Sequence, residues 1–127
     1  MNTPSEIRYH KESKVLTVRF ADTAIDLPAE LLRVYSPSAE VRGHGDGERK
    51  LQTGKKYVGI SAIEAVGNYA IRITFDDGHD SGIYAWDYLA ELGRTRDSLW
   101  QAYLAELKEA NASRLPTIPV GQWAPKT

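Results

Sequence analysis

Alternating apolar and polar residues mark the first strands of the chain. In Val15–Phe20 the side chains of Leu16, Val18 and Phe20 fall on one face, with polar residues among those on the other. A period of two residues is typical of a strand with one buried face. The segment Ala24–Leu27 follows after a short turn, and we expect it to pair with the first strand.

The clearest strand of the sequence is YAIRITF. Its apolar side chains share one face: Tyr69, Ile71, Ile73 and Phe75. Strand character is also present at Tyr57–Ile63, and Gly67-Asn68 predicts a turn between the two segments. Asp77-Gly78 makes a second reversal easy, because both residues tolerate left-handed backbone conformations. A short return strand then begins at Ile83.

Helical patterns occupy the middle and the end of the chain. A short helix is predicted over Ala29–Arg33, with Pro28 at its first turn and Pro37 ending it. A second helix is predicted over Trp86–Leu92, with Gly93 as a left-handed cap. A third begins near Asp97 with an apolar stripe. The stripe contains Leu99, Trp100, Tyr103, Leu104 and Leu107.

These elements predict a single α+β domain, with a small antiparallel β-sheet packed with two or three helices. We place this domain at residues 1–113, with Leu16, Ile71 and Ile73 among its buried residues. Residues 114–127 contain three prolines and no periodicity, so we expect a flexible C-terminal tail. A chain of 127 residues is the size of one domain.

Composition and charge limit the classes of partner and the cellular compartment that we expect. Sixteen basic against seventeen acidic residues give a net charge of −1, which predicts no nucleic acid and no membrane as partner. The chain has no cysteine, so disulfides and thiolate ligands are excluded. There is no apolar signal segment, and the expected location is cytoplasmic. The oligomeric state stays open.

The segment DDGHDSG at 76–82 is the first candidate site. Imidazole and carboxylate groups suit zinc or iron(II), which makes His79, His44, Asp77 and Asp80 candidate metal or binding residues. The alternative is a hairpin turn whose aspartates bond to their own backbone. Neither histidine belongs to a pair with ligand spacing, which favours the turn.

Charge is distributed unevenly between two loops. Residues 42–56 carry five basic and two acidic residues, whereas residues 76–91 carry five acidic and no basic ones. One interpretation is a docking surface for a protein partner. Its candidate residues are Arg42, Lys55, Lys56, Asp76 and Ser81. The other interpretation is a pair of solvated surfaces, or one loop folded over the other.

No complete catalytic motif is present. The GERKLQTGK segment lacks the spacing of a phosphate-binding loop, and DDGHDSG lacks that of an EF-hand. Ser81, His79 and Asp80 are too close in sequence to form a hydrolase triad on an extended segment. The hypothesis we favour is a non-enzymatic interaction domain, with an unrecognised enzyme left open.

Three segments carry a family resemblance: LPAELLRVYSPSAEVRGHG at 27–45, VGNYAIRITFDDGHDSGIYAWDYLAELG at 66–93, and LWQAYL at 99–104. With their G-N-Y, D-G-H-x-S-G and W-x-x-L elements they resemble the DUF971 family. This is the gamma-butyrobetaine hydroxylase-like N-terminal domain, found as small bacterial proteins and as a module. The likeness extends over about residues 7–107 and implies no particular activity.

The resemblance implies specific expectations about metals. In the hydroxylases this domain precedes an iron-containing catalytic domain and binds a structural zinc through three cysteines and one histidine. The histidine corresponds to His79, and the cysteine positions fall at Ser36, Ser38 and Val41. We therefore expect no structural zinc and no cofactor.

The module also occurs attached to iron–sulfur cluster carriers, which implies an accessory role in cluster or metal handling. The alternative function is thus a metal-binding module for zinc or iron, through His79 and His44. Because clusters rest on cysteine thiolates, this chain would need a partner to hold one.

Overall fold

The computed structural model describes residues 3–42 and 49–117. In chain order the elements are β1 (Glu6–His10), β2 (Val15–Arg19), β3 (Ala24–Pro28), α1 (Ala29–Val34), α2 (Ala39–Arg42), β4 (Ile60–Val66), β5 (Ala70–Phe75), β6 (Ile83–Ala85) and α3 (Trp86–Glu109). The α+β class is confirmed. Among the described residues, no helix is long and apolar enough to cross a membrane.

The strands form two antiparallel sheets of three strands each, ordered β1-β2-β3 and β4-β5-β6. The predicted pairing of β2 with β3 is confirmed, with Leu16 opposite Leu27. β1 was not predicted. Its segment EIRYH alternates Ile7 and Tyr9 with charged residues, and both pack against the core from partly buried positions.

The second sheet begins later than its sequence pattern indicated. β4 starts at Ile60, three residues after Tyr57, and has an irregularity in its pairing between Ile60 and Ala62. In β5 the residues Ile71, Ile73 and Phe75 are buried as predicted. Tyr69 precedes this strand and is 54% exposed, so it does not continue the buried face.

One continuous helix, α3, replaces the two helices predicted after residue 85. Gly93 lies inside it, and its role is close packing. A Cβ atom at this position would lie 2.3 Å from Cγ2 of Ile25, far inside van der Waals contact. The glycine therefore lets α3 approach β3, and the prediction of a helix end there was wrong.

The core lies between the sheets and the helices. Leu16 and Ile73 are completely buried and Ile71 is 3% exposed, which confirms the predicted core positions. Three of its tyrosines bond to distant backbone carbonyls, Tyr84 to Leu32 O at 2.5 Å. Tyr35 donates to Leu99 O at 2.8 Å, and Tyr103 donates to Gln52 O at 2.7 Å. These bonds satisfy phenol groups that burial would otherwise leave without a partner.

The segment after α3 returns to the domain. Arg114, the first residue of the predicted tail, makes two hydrogen bonds of 2.7 and 2.8 Å to the carboxylate of buried Glu30. Its guanidinium also lies 5.0 Å from the ring centre of Trp100. Residues 118–127 of the predicted tail lie outside the described part of the chain.

Candidate functional site

The connection from β5 to β6, residues 76–82, forms a tight turn. Gly78 has a φ of 92°, a conformation that glycine adopts without strain. The Phe75 N–H donates to His79 O at 2.9 Å, and the His79 N–H donates to Asp77 Oδ1 at 3.1 Å. The turn predicted for this segment, with an aspartate bonded to nearby backbone, is confirmed.

His79 points from this turn into the protein, where both of its ring nitrogens have partners. Nε2 lies 2.8 Å from Oγ of Ser36, and Nδ1 lies 3.1 Å from Oε2 of Glu40. Because a carboxylate only accepts, Nδ1 carries the proton and Nε2 accepts the Ser36 hydroxyl. The side chain is 4% exposed.

The electrostatic surroundings favour a neutral ring. Burial and the positive charge of Arg33 lower the pKa of His79, and together they outweigh Glu40 and Asp77, which raise it. A neutral imidazole with one donor and one acceptor nitrogen matches its two partners.

Two more serines extend this contact into a group that we call the serine–histidine cluster: Ser36, Ser38, Glu40, His79 and Ser81. The hydroxyls of Ser38 and Ser81 lie 2.6 Å apart, and Ser81 donates to Glu40 Oε2 at 3.2 Å. Ser38 Oγ accepts the Glu40 N–H at 3.1 Å. The cluster thus joins the residues after α1 and in α2 to the β5–β6 turn.

Asp77 joins the acidic turn to the basic loop. Its Oδ2 accepts Arg33 Nε at 2.8 Å and Lys55 Nζ at 2.7 Å. Burial opposes ionisation, but hydrogen bonds from Lys55, the His79 backbone and Arg33 outweigh it and lower the pKa of the Asp77 carboxyl to about 2. At this point one loop does fold over the other.

The remaining predicted site residues lie in separate contacts. Asp76 Oδ2 accepts the Gly59 N–H at 3.0 Å, and Asp80 is exposed. The cations of Arg42 and Lys56 lie 5.2 and 5.5 Å from the ring centres of Tyr88 and Tyr57. His44 lies outside the described residues. Within residues 3–42 and 49–117, no three acidic or histidine side chains are grouped to hold a metal ion.

The zinc implied by the family resemblance does not fit this donor set. Residues 36 and 38 do lie beside His79 and Ser81, as the family positions suggest. However, both provide hydroxyls instead of thiolates, and Val41, which is 1% exposed, has no side-chain donor atom. A structural zinc needs four thiolate or imidazole ligands, and of these four positions only His79 provides one.

The order hydroxyl–imidazole–carboxylate is also that of an activated serine nucleophile. Here the serine is closed off: Ser36 is 1% exposed, and a Cβ atom at Gly82 would lie 2.5 Å from its Oγ. A nucleophile needs space for the reacting carbon about 3 Å away. The carboxylate of Glu40 is 70% exposed. The arrangement is therefore suited to holding segments together.

Sequence reasoning missed the roles of Glu40 and Arg33, and it treated Ser36 only as a lost zinc ligand. No spacing in the chain indicates that these residues meet His79. The one signal was the family resemblance, which places positions 36, 38 and 79 at a common site.

A cleft in the described residues lies away from the cluster. It has a volume of about 640 Å³ and is bounded by the β2–β3 turn and α3. Phe20, Ile25 and Trp86 contribute its apolar wall, and Arg94 and Arg96 lie at its rim. Both arginines are already engaged within the chain, Arg94 with Glu91 and Arg96 with Asp26 O.

The fold and this site define a small α+β domain in which a partly buried polar cluster joins two segments. The chain belongs to the family described as gamma-butyrobetaine hydroxylase-like, N-terminal, whose profile matches residues 7–90. A search of the curated proteins returned no match.

Three solved structures are similar to the chain. The first, a solution structure determined by NMR, is 53% identical with a TM-score of 0.81 and covers 97% of this chain and 98% of its own. A second NMR structure is 43% identical with a TM-score of 0.79, covering 99% and 95%. The third is the crystal structure of a DUF971-family protein of unknown function from Acidithiobacillus ferrooxidans. It is 37% identical with a TM-score of 0.61, covering 72% and 92%.

Proposed function

We propose that this chain is a non-enzymatic interaction domain that binds a partner protein through the free edge of β4. The observation that carries the proposal is the unpaired backbone of this strand after Ile60, whose own N–H donates to the Tyr9 hydroxyl at 3.0 Å. β4 is seven residues long and, in the described part of the chain, pairs on one side only, with β5. Such an edge presents backbone donors and acceptors to an added strand.

The edge is open and lacks the usual protection. Ser61, Ala62, Glu64 and Ala65 are all exposed. Natural proteins block such edges with lysine, proline or very short strands, and the segment ISAIEAV has no lysine and no proline. Its only irregularity is at its start, between Ile60 and Ala62.

The side chains along the edge define the occupant as an extended segment with small or apolar residues. The only charged residue of β4 is Glu64, and its carboxylate already pairs with Arg72 at 2.6 Å. Small side chains at Ser61, Ala62 and Ala65 leave room for a neighbouring strand about 5 Å away. Backbone hydrogen bonds would supply the attachment, and alternate side chains the selectivity.

A second candidate surface is the docking surface predicted from charge. Asp77 pairs there with both Lys55 and Arg33. Of the two neighbouring lysines, only Lys56 forms no ion pair with the described residues. A role in metal or cluster handling would draw its ligands from the partner, because the chain has no cysteine. Neither alternative has an observation as direct as the open edge.

The experiment compares proteins captured from a cell lysate by wild type, Ala62→Lys and Ala105→Lys. The first variant places a lysine on the β4 edge, where it opposes strand addition. The second makes the same exchange on the exposed face of α3. A partner lost with Ala62→Lys and kept with Ala105→Lys, then reproduced with both proteins purified, is the expected result. An unchanged captured set with Ala62→Lys contradicts the proposal.

A further inference from the structure

We propose that the serine–histidine cluster is a metal-free cross-link that replaces a bound metal in this chain. It fixes residues 36–41 to the β5–β6 turn through side-chain hydrogen bonds alone. The side chains at positions 36, 38, 41 and 79 do not match the ligands that zinc requires. This observation is independent of the β4 edge.

Residues 36–41 and 76–82 are joined by side chains and not by backbone. Among the described residues, no backbone–backbone hydrogen bond joins residues 36–41 to residues 76–82. Four side-chain contacts join them instead. They are Ser36–His79, Glu40–His79, Ser38–Ser81 and Ser81–Glu40.

The cluster also has the form of a metal site, with hydroxyl groups at the positions of ligand atoms. His79 directs Nε2 at position 36, and its Nδ1–H at a carboxylate. Metal-bound histidines have the same arrangement, with one nitrogen on the metal and the other donating to a carboxylate. In this chain the Ser36 hydroxyl satisfies the nitrogen that a metal would otherwise take.

The cross-link also requires the two segments to approach closely. Gly82 allows it, because a Cβ atom there would lie 2.5 Å from Ser36 Oγ and 3.5 Å from Cδ of Pro37. Its backbone therefore packs directly against the residues that the cluster holds. The same contact keeps water from competing for the Ser36–His79 bond, since Ser36 is 1% exposed.

A double-mutant cycle tests the cross-link. Urea unfolding is measured for wild type, Ser36→Ala, His79→Gln and the double variant. If the two residues were independent, the double variant would change the unfolding equilibrium constant by the product of the two single-variant effects. We expect a departure of roughly tenfold from that product, because residues in contact couple and separated ones do not. The matched control cycle uses Ser61→Ala with His79→Gln, because Ser61 is an exposed serine on β4. In this control cycle, the double variant should change the unfolding equilibrium constant by the product of the two single effects, to within about twofold.

A second cycle covers the case in which the histidine variant does not fold. Ser38→Ala and Ser81→Ala remove only hydroxyls, and these hydroxyls lie 2.6 Å apart. Coupling beyond about twofold in either cycle supports the cross-link, and effects that multiply within about twofold in every measurable cycle overturn it.

The metal side of the proposal has its own readouts. Wild-type protein should contain no stoichiometric zinc by elemental analysis, and its urea midpoint should be the same with and without EDTA. The variant Ser36→Cys/Ser38→Cys/Val41→Cys should take up one zinc per chain together with His79 and become sensitive to EDTA. One zinc per wild-type chain, lost in His79→Gln, would overturn the proposal.

Discussion

Nε2 of His79 and Oγ of Ser36 lie 2.8 Å apart although 43 positions separate the two residues in the chain. The ring accepts at this nitrogen and donates at Nδ1 to Glu40. A second ring proton would turn Nε2 into a donor. The Ser36 hydroxyl would then have to turn its proton away and accept from Nε2 with its second lone pair, since its oxygen already receives the Ser38 N–H at 3.3 Å. The contact therefore selects the neutral imidazole.

Mild acid should destabilise the domain through His79. The folded pKa of His79 is lowered from 6.5, so below pH 6.5 the unfolded chain binds more protons than the folded one. Stability is then fully present above this value and declines as the pH falls through it. Urea midpoints measured from pH 8 to pH 5 should show this decline. The His79→Gln variant should lack it, and an equal decline in that variant would refute the assignment.

A separate loss at lower pH should come from Asp77. Its pKa is lowered from 3.8 to about 2, so its contribution is present above pH 3.8 and is lost as the pH falls toward 2. After allowance for solvent screening we expect about 1–2 kcal/mol. Asp77→Asn should remove this loss of stability while preserving the one caused by His79. Thermal unfolding from pH 5 to pH 2 measures it.

Truncation of Ile71 to alanine should cost about 2–5 kcal/mol of unfolding free energy. Ile71 is 3% exposed and packs in the core of the second sheet. Ile83, on the neighbouring strand β6, is 40% exposed and provides a control with the same substitution. Urea unfolding should show a change below about 0.5 kcal/mol for Ile83→Ala. A similar small change for Ile71→Ala would mean that its face is misassigned.

The strands and the cluster differ in how far the sequence determines them. β5 could be predicted because its alternation is local: Ile71, Ile73 and Phe75 are spaced for one face of a strand. The cluster could not, since its residues come from two segments, 36–40 and 79–81, whose approach depends on the whole fold. Gly93 was misleading for a different reason. A glycine after an apolar helix pattern indicates either a helix end or a close contact, and only packing distinguishes the two.

Gly93→Ala should therefore destabilise the protein although alanine is the better helix former. An added Cβ would lie 2.3 Å from Cγ2 of Ile25, which should cost about 1–3 kcal/mol and outweigh the gain of about 1 kcal/mol in helix propensity. Ile25→Ala removes the clashing atom. In the double variant Gly93→Ala should be neutral or stabilising relative to Ile25→Ala alone. Stabilisation by Gly93→Ala in the wild-type background would contradict the close packing of α3 on β3.

Charge reversal at two neighbouring lysines should separate a structural role from a docking role. Lys55 donates to Asp77 at 2.7 Å and is 21% exposed, so Lys55→Glu places two carboxylates together and should cost about 1 kcal/mol of stability. The Lys56 ammonium lies 5.5 Å from the ring centre of Tyr57 and forms no ion pair with any of the described residues. Lys56→Glu should change stability by less than about 0.5 kcal/mol.

The same two variants test whether the basic loop contributes to partner binding. A partner steered by this loop should associate more slowly with Lys56→Glu than with wild type, and the difference should shrink at high salt. Association rates of the partner captured through β4 provide the measurement. If Lys56→Glu and wild type associate equally fast at low salt, Lys56 does not steer the partner. The contact of Lys55 with Asp77 would then be the role that the structure gives to this pair of lysines, a role in stabilising the fold.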